Sequence, residues 1–142
     1  MMRSAVAKTF QQEVDDFCIK TEKDMDLAVR ALVLELFSLV VERSPVDTGT
    51  FRANWQVSLG TPMTGTLDEE DKEGAVAINR IAEVVLSLKA GDTIYLANNL
   101  PYALALEEGH SDQAPNGMVA LTMQELKDVA KGLGIELEFE NG

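Results

Sequence analysis

The sequence predicts an α+β fold in which a long amino-terminal helix packs on a small antiparallel sheet, with two or three further helices. Three observations carry this expectation. Ser4 to Arg43 holds neither Gly nor Pro, and apolar or small residues recur there in threes and fours. Two short stretches, Ala53 to Leu59 and Thr93 to Ala97, alternate apolar and polar side chains as half-buried strands do. Two later segments, Ala75 to Leu88 and Met118 to Lys131, return to the helical period.

The first helix is marked by Val6, Phe10, Val14, Phe17, Thr21, Met25, Ala28, Leu32 and Leu36. About 40 helical residues would span on the order of 60 Å at 1.5 Å per residue, whereas a compact chain of this size is about 40 Å across. Either the helix breaks near Thr21, where Thr21 and Asp24 resemble a capping box, or residues 1–23 project and dock on a neighbour. Leu27 to Val41 is apolar nearly all round and belongs in the core, while Ala5 to Lys23 carries one narrow apolar stripe.

Pro45 disfavours helix at Ser44 and ends this element. Val46-Asp47-Thr48-Gly49 then supplies turn residues: the Asp and Thr side chains can hydrogen-bond their own turn, and Gly49 permits positive φ. In the strand that follows, Phe51, Ala53, Trp55, Val57 and Leu59 share a face; its first residues are also compatible with a helical turn. Trp55 is expected between this sheet and the long helix. Gly60 to Thr66 is loop by composition. The acidic run Asp68 to Glu73 has its carboxylates contiguous rather than spaced as calcium loops need, and suits a helix start, where negative charge meets the macrodipole.

After the helix Ala75 to Leu88, which stops at Gly91, and the strand Thr93 to Ala97, Pro101 opens a short helix over Tyr102 to Glu108, and Gly109 stands where a positive φ closes it. The polar loop from Gly109 to Gly117 holds little apolar surface, so it is expected to be mobile and to order against a partner. The third helix, Met118 to Lys131, ends at Gly132 and Gly134, and residues 135–142 begin with a strand-like alternation that predicts an edge strand or a loose tail.

Composition narrows the function. A chain of 142 residues, 46% of them hydrophobic, is one domain with enough apolar surface for a core. It lacks a continuous apolar run of membrane-spanning length and an apolar signal-peptide run at its start, and its single Cys18 forms no internal disulfide, so it is expected in a cytosol. The net charge of −12 repels phosphate backbones and anionic membranes, which argues against sequence-specific nucleic-acid or membrane binding.

The inventory for catalysis is thin. Cys18, His110 and Asp112 can be written as a triad, but Cys18 sits beside Phe17 on a helical stripe, where a small buried hydrophobe is the plainer role. Glu107 and Glu108 are adjacent and point in different directions on a helix. No phosphate-cradling Gly-rich loop occurs. No catalytic residue, metal site or cofactor is expected, and the chain reads as a non-enzyme.

Two segments carry a family likeness: Arg43 to Trp55, with its Pro45-x-Asp47-Thr48-Gly49-x-Phe51-Arg52 turn, and Leu96 to Val119, with Asn98-x-x-Pro101-Tyr102-Ala103, then Glu107-x-Gly109, then Gln113-Ala114-Pro115 and Met118. In this order the motifs resemble the tail-completion proteins of long-tailed bacteriophages. This is the family of the HK97-type tail component and the lambda minor tail protein Z, also described as neck or head-tail joining proteins. The resemblance implies a structural protein without enzymatic activity at the head-proximal end of a phage or prophage tail. It further implies assembly in the host bacterial cytoplasm, contact with other tail and head-connector proteins, and a homo-oligomer, with a ring as one form. Tyr102, Glu107, Gln113 and Pro115 would shape the rim offered to a partner. Rival readings are an adaptor that dimerises through the Ala5 to Lys23 stripe and a small hydrolase.

Overall fold

The computed structural model describes residues 25–137. The stripe from Val6 to Phe17, the Thr21 and Asp24 pair and Cys18 lie outside them, as does the tail from residue 138. The described residues form six helices and a two-stranded antiparallel sheet. In order these are α1 (Met25–Glu42), α2 (Thr50–Ala53), β1 (Gln56–Leu59), α3 (Ala75–Val85), β2 (Ile94–Ala97), α4 (Ala103–Glu107), α5 (Val119–Gln124) and α6 (Leu126–Gly132).

Helix α1 buries Val29, Leu32, Val33, Leu36, Phe37, Val40 and Val41, a stripe spaced by threes and ones. Leu27, Ala31 and Glu35, four residues apart, face solvent instead: the helix is apolar nearly all round as expected, yet one side of it, apolar Leu27 and Ala31 included, lies outside the core. It packs with α3, α5 and α6, while α3 also lies against β1. The buried face of α1 joins Trp55, Ile81, Ile94, Leu96, Met118 and Leu126 in one core. Complete burial of a side chain such as Leu32 contributes about 1.5–3 kcal/mol. The helix stops at Glu42, two residues before the Ser44 that Pro45 was expected to exclude.

The sheet pairs Gln56 with Ala97, Val57 with Leu96, Ser58 with Tyr95 and Leu59 with Ile94. Strand β2 behaves as its alternation predicts, with Ile94 and Leu96 buried. Strand β1 does not. Thr50 to Ala53 is a turn of helix, so Phe51 and Ala53 are buried from a helix and Trp55 precedes the strand. Past that break the alternation changes phase: Gln56 is buried and Leu59 is exposed. Trp55 is nevertheless in the core, as expected, and its indole N–H donates to Ser44 Oγ at 2.7 Å.

The third helix is divided in two at Glu125, where no Gly or Pro marks a break. Thr122 Oγ1 donates back to the Met118 carbonyl at 2.7 Å, a bond that bends helices, and Arg43 donates to both Thr122 Oγ1 and Glu125. Gly134, at φ 76°, then ends α6: its N–H reaches Lys131 O, the Ile135 N–H reaches Ala130 O at 2.8 Å, and Ile135 enters the core. No strand pairing includes residues 135–137.

Candidate functional site

The two segments that carry the family likeness, far apart in sequence, meet at one corner. Gln113 takes hold of Val46 with both ends of its amide: Oε1 accepts from the Val46 N–H at 2.8 Å and Nε2 donates to the Val46 carbonyl at 3.0 Å. Asn98 Nδ2 donates to Phe51 O at 2.9 Å, and the rings of Phe51 and Tyr102 stand 6.0 Å apart. Between the segments lies a groove of about 280 Å³, walled by the turn Pro45 to Phe51 on one side and by Tyr102, Leu106, Ser111 and Gln113 on the other.

Each wall is fixed by main-chain chemistry. Gly49 has φ 94°, and any Cβ there would lie 2.6 Å from Lys72 N and 2.7 Å from Asp71 N, so the turn and the acidic run touch backbone to backbone. Its carbonyl accepts from both Ala53 and Asp71 at 3.0 Å. Thr48 Oγ1 accepts from the Thr50 N–H at 3.2 Å, as a turn hydroxyl does. Partly buried Arg52 gathers carbonyls: Nε to Ser44 at 3.0 Å, one Nη to Lys72 at 2.9 Å and the other to Glu42 at 2.7 Å. It thereby satisfies the end of α1 that helix geometry leaves without donors.

On the other wall, Gly109 (φ 92°) closes α4 as predicted, with its own N–H on Leu106 O and the His110 N–H on Ala105 O. The Glu107 carboxylate accepts from the N–H groups of Met118 at 3.0 Å, Val119 at 2.9 Å and Ala120 at 3.0 Å, so it caps α5 rather than offering itself on a rim. The loop Gly109 to Gly117 is also tied down, contrary to the expectation from its composition. Ala114 and Gly117 are buried, and a Cβ on Gly109 would lie 2.4 Å from Pro115 O. The Gln113 and Ser111 side chains and the Ser111 and Ala114 carbonyls have partners within the chain, which replaces the apolar burial that composition lacked.

Of the residues singled out in the sequence, Asp47, Thr48, Pro101, Tyr102, Gln113 and Pro115 are exposed, and Asp47, Thr48, Tyr102 and Gln113 among them line the groove. Pro45, Trp55, Ala114 and Met118 are buried, while Asn98, Ala103 and Gly109 are partly covered. This divides the set into buried residues and exposed residues that line the groove. The groove offers hydroxyls, a carboxylate and main-chain groups around an aromatic floor, which suits binding.

Sequence reasoning missed four buried polar residues that hold the corner from behind. Wholly buried Asn54 pairs with Leu67 through both amide atoms, at 2.7 and 3.0 Å, and donates to Thr50 O at 2.7 Å. Ser44 joins Val40 O and Trp55. Gln56 holds Gly65 O at 2.9 Å. Asp71 accepts from the Ala77 N–H at 2.9 Å in the first turn of α3, so the acidic run does serve a helix start, through one buried member. Among the described residues no group of His, Cys, Asp and Glu is arranged to hold a metal ion, and no helix is long and apolar enough to cross a membrane.

Compared with family models, curated proteins and solved structures, the chain matches none.

Proposed function

We propose that this chain is a structural protein of a long-tailed phage or prophage particle, which completes the head-proximal end of the tail and joins it to the head. The observation that carries the reading is the corner. The two segments resembling tail-completion proteins are joined by Gln113 on Val46 and Asn98 on Phe51, and together they wall one groove. A resemblance confined to unrelated turns would give no reason for the segments to meet.

In this reading the buried members, Pro45, Trp55, Ala114 and Met118, with partly buried Arg52, set the shape of the corner. The exposed members, Asp47, Thr48, Tyr102 and Gln113, meet a neighbouring tail or head-connector subunit. The net charge of −12 favours a surface past which DNA slides without sticking.

The test is genetic complementation. A particle-producing strain lacking this gene is supplied with the wild-type chain or with a Tyr102→Ser, Thr48→Ala double variant, and particles are imaged by electron microscopy. The deletion is expected to yield separate heads and tails, and the double variant to fold yet join few of them. Joined, infectious particles from the deletion strain would end the proposal.

A further inference from the structure

The side of α1 that faces away from the core carries Leu27, Ala31, Leu34 and Ser38 in steps of four, three and four, the spacing of a seam that takes a second helix. Leu27 is 61% exposed, Ala31 is exposed, and Leu34 and Ser38 are partly so. Together they make an apolar strip rather than one stray side chain. The charges beside it are also unspent. Arg30 gives its Nε to Leu88 O at 2.7 Å, and its two Nη groups, like the Glu42 carboxylate on the other flank, have no partner among the described residues.

The chain itself supplies a matching stripe. Val6, Phe10, Val14 and Phe17 recur in steps of four, four and three, in the segment that runs directly into Met25 at the start of α1. Eleven positions separate Val6 from Phe17 and Leu27 from Ser38 alike, about 17 Å of helix in each. If the chain reverses over residues 20–24, Phe17 comes opposite Leu27, Val14 opposite Ala31, Phe10 opposite Leu34 and Val6 opposite Ser38. The larger side chain of each rung then meets a smaller one. Five residues is an ordinary length for a helix–helix connection, and Asp24, a favoured N-cap type, stands immediately before Met25.

Charge agrees with the same register. Glu13 falls beside Arg30 on one flank and Arg3 beside Glu42 on the other, and like charges do not meet along the seam. A second copy fits less well: two α1 faces set antiparallel would put Leu27 on Ser38 and Ala31 on Leu34 and leave the Val6 to Phe17 stripe uncovered. A helix of about 15 residues with one narrow apolar stripe is marginal alone in water, so the stripe needs a surface to lie on.

We propose that residues 5–19 form a helix that folds back antiparallel on the outer face of α1 in the same chain, with Phe10 and Phe17 seated against Leu34 and Leu27. Helix α1 is then covered on both sides, by the core and by this segment. The inference goes beyond the tail reading and does not rest on it. It bears on the adaptor reading, because a stripe occupied by its own chain is not free to dimerise.

The test is cross-linking of the full chain by a short bismaleimide, in a Cys18→Ser background that removes the native thiol. One variant carries Ala7→Cys with Glu35→Cys, which the proposed register brings together on one flank of the seam. The other carries Ala7→Cys with Leu27→Cys, which the register holds apart by several turns of helix. Glu35 and Leu27 are both exposed, so both variants keep the fold. Linking within one chain, read by mass spectrometry, is expected at least about tenfold faster for the Ala7 and Glu35 pair, since packing sets the effective concentration of the two thiols. A loosely tethered segment would give the opposite order, because Leu27 is nearer in sequence and the shorter loop closes more readily. Equal or reversed rates would overturn the proposal. Adding Phe10→Ser should bring the faster rate down to the slower one, and a preference that survives it would show that the stripe is not the contact, with the same consequence. Isotopically light and heavy chains are mixed before linking: products that join one of each would seat the segment on a second copy and overturn the proposal as well.

Discussion

Two loops of similar composition are held in opposite ways. The loop Gly60 to Leu67 is exposed over residues 60–66 and buries almost nothing of its own. It is fixed from outside: Asn54, Gln56 and Asn99 reach from the body of the fold and bond its carbonyls at Met63, Gly65 and Leu67 and the Leu67 N–H. The loop Gly109 to Gly117 is fixed from within. Its own Gln113 reaches out to Val46, its Ala114 enters the core, and its two terminal glycines meet neighbouring backbone too closely for a Cβ. A loop's polarity thus says little about whether it is ordered; what counts is where the partners of its main chain are. The first loop tolerates sequence change within it and not at its anchors, and the second is the reverse.

The strongest way to break this contrast is Asn54→Ala. It removes a wholly buried side chain and strands the Leu67 N–H and two carbonyls, at an expected cost of about 2–4 kcal/mol in urea unfolding. A loss below about 1 kcal/mol would mean that the outer loop is not held by its anchor. Gly109→Ala comes next. With φ at 92° and Pro115 O where the methyl would sit, about 2–3 kcal/mol is expected, read as a melting temperature lower by several degrees. Gln113→Ala, at an exposed site, should cost about 1 kcal/mol, and hydrogen exchange at the Val46 amide should quicken by about tenfold with little change elsewhere. Unchanged exchange would show that Val46 is protected by something other than Gln113. The smallest effect belongs to Met63-Thr64→Gly-Ser. Both side chains are exposed and the Met63 carbonyl remains, so stability should stay within about 0.5 kcal/mol.

Much of the frame was legible. The three-and-four spacing through Met25, Ala28, Leu32 and Leu36, the alternation of Ile94 and Leu96, and the glycine at position 109 each led to the element or cap observed. Other features were open or unseen in the local pattern. The helical turn at Thr50 was one of the two readings its residues allowed, whereas the break at Glu125 lies where Arg43, from a distant segment, bonds Thr122 and Glu125. At the corner, the meeting of the two segments was not visible in either one, and Glu107, Arg52 and Asp71 changed from candidate surface groups or a mere charge run into caps.

By itself the sequence determined the apolar periods, the positions that need positive φ and the surplus of negative charge. These are properties of one residue or of neighbours within a turn, and they act before any long-range contact forms. Only the tertiary structure decided which polar side chain satisfies which main chain. Bonds such as Gln113 to Val46 or Asn54 to Leu67 exist once packing has brought the segments together and excluded water, and no local pattern records the identity of a partner 13 or 67 residues away.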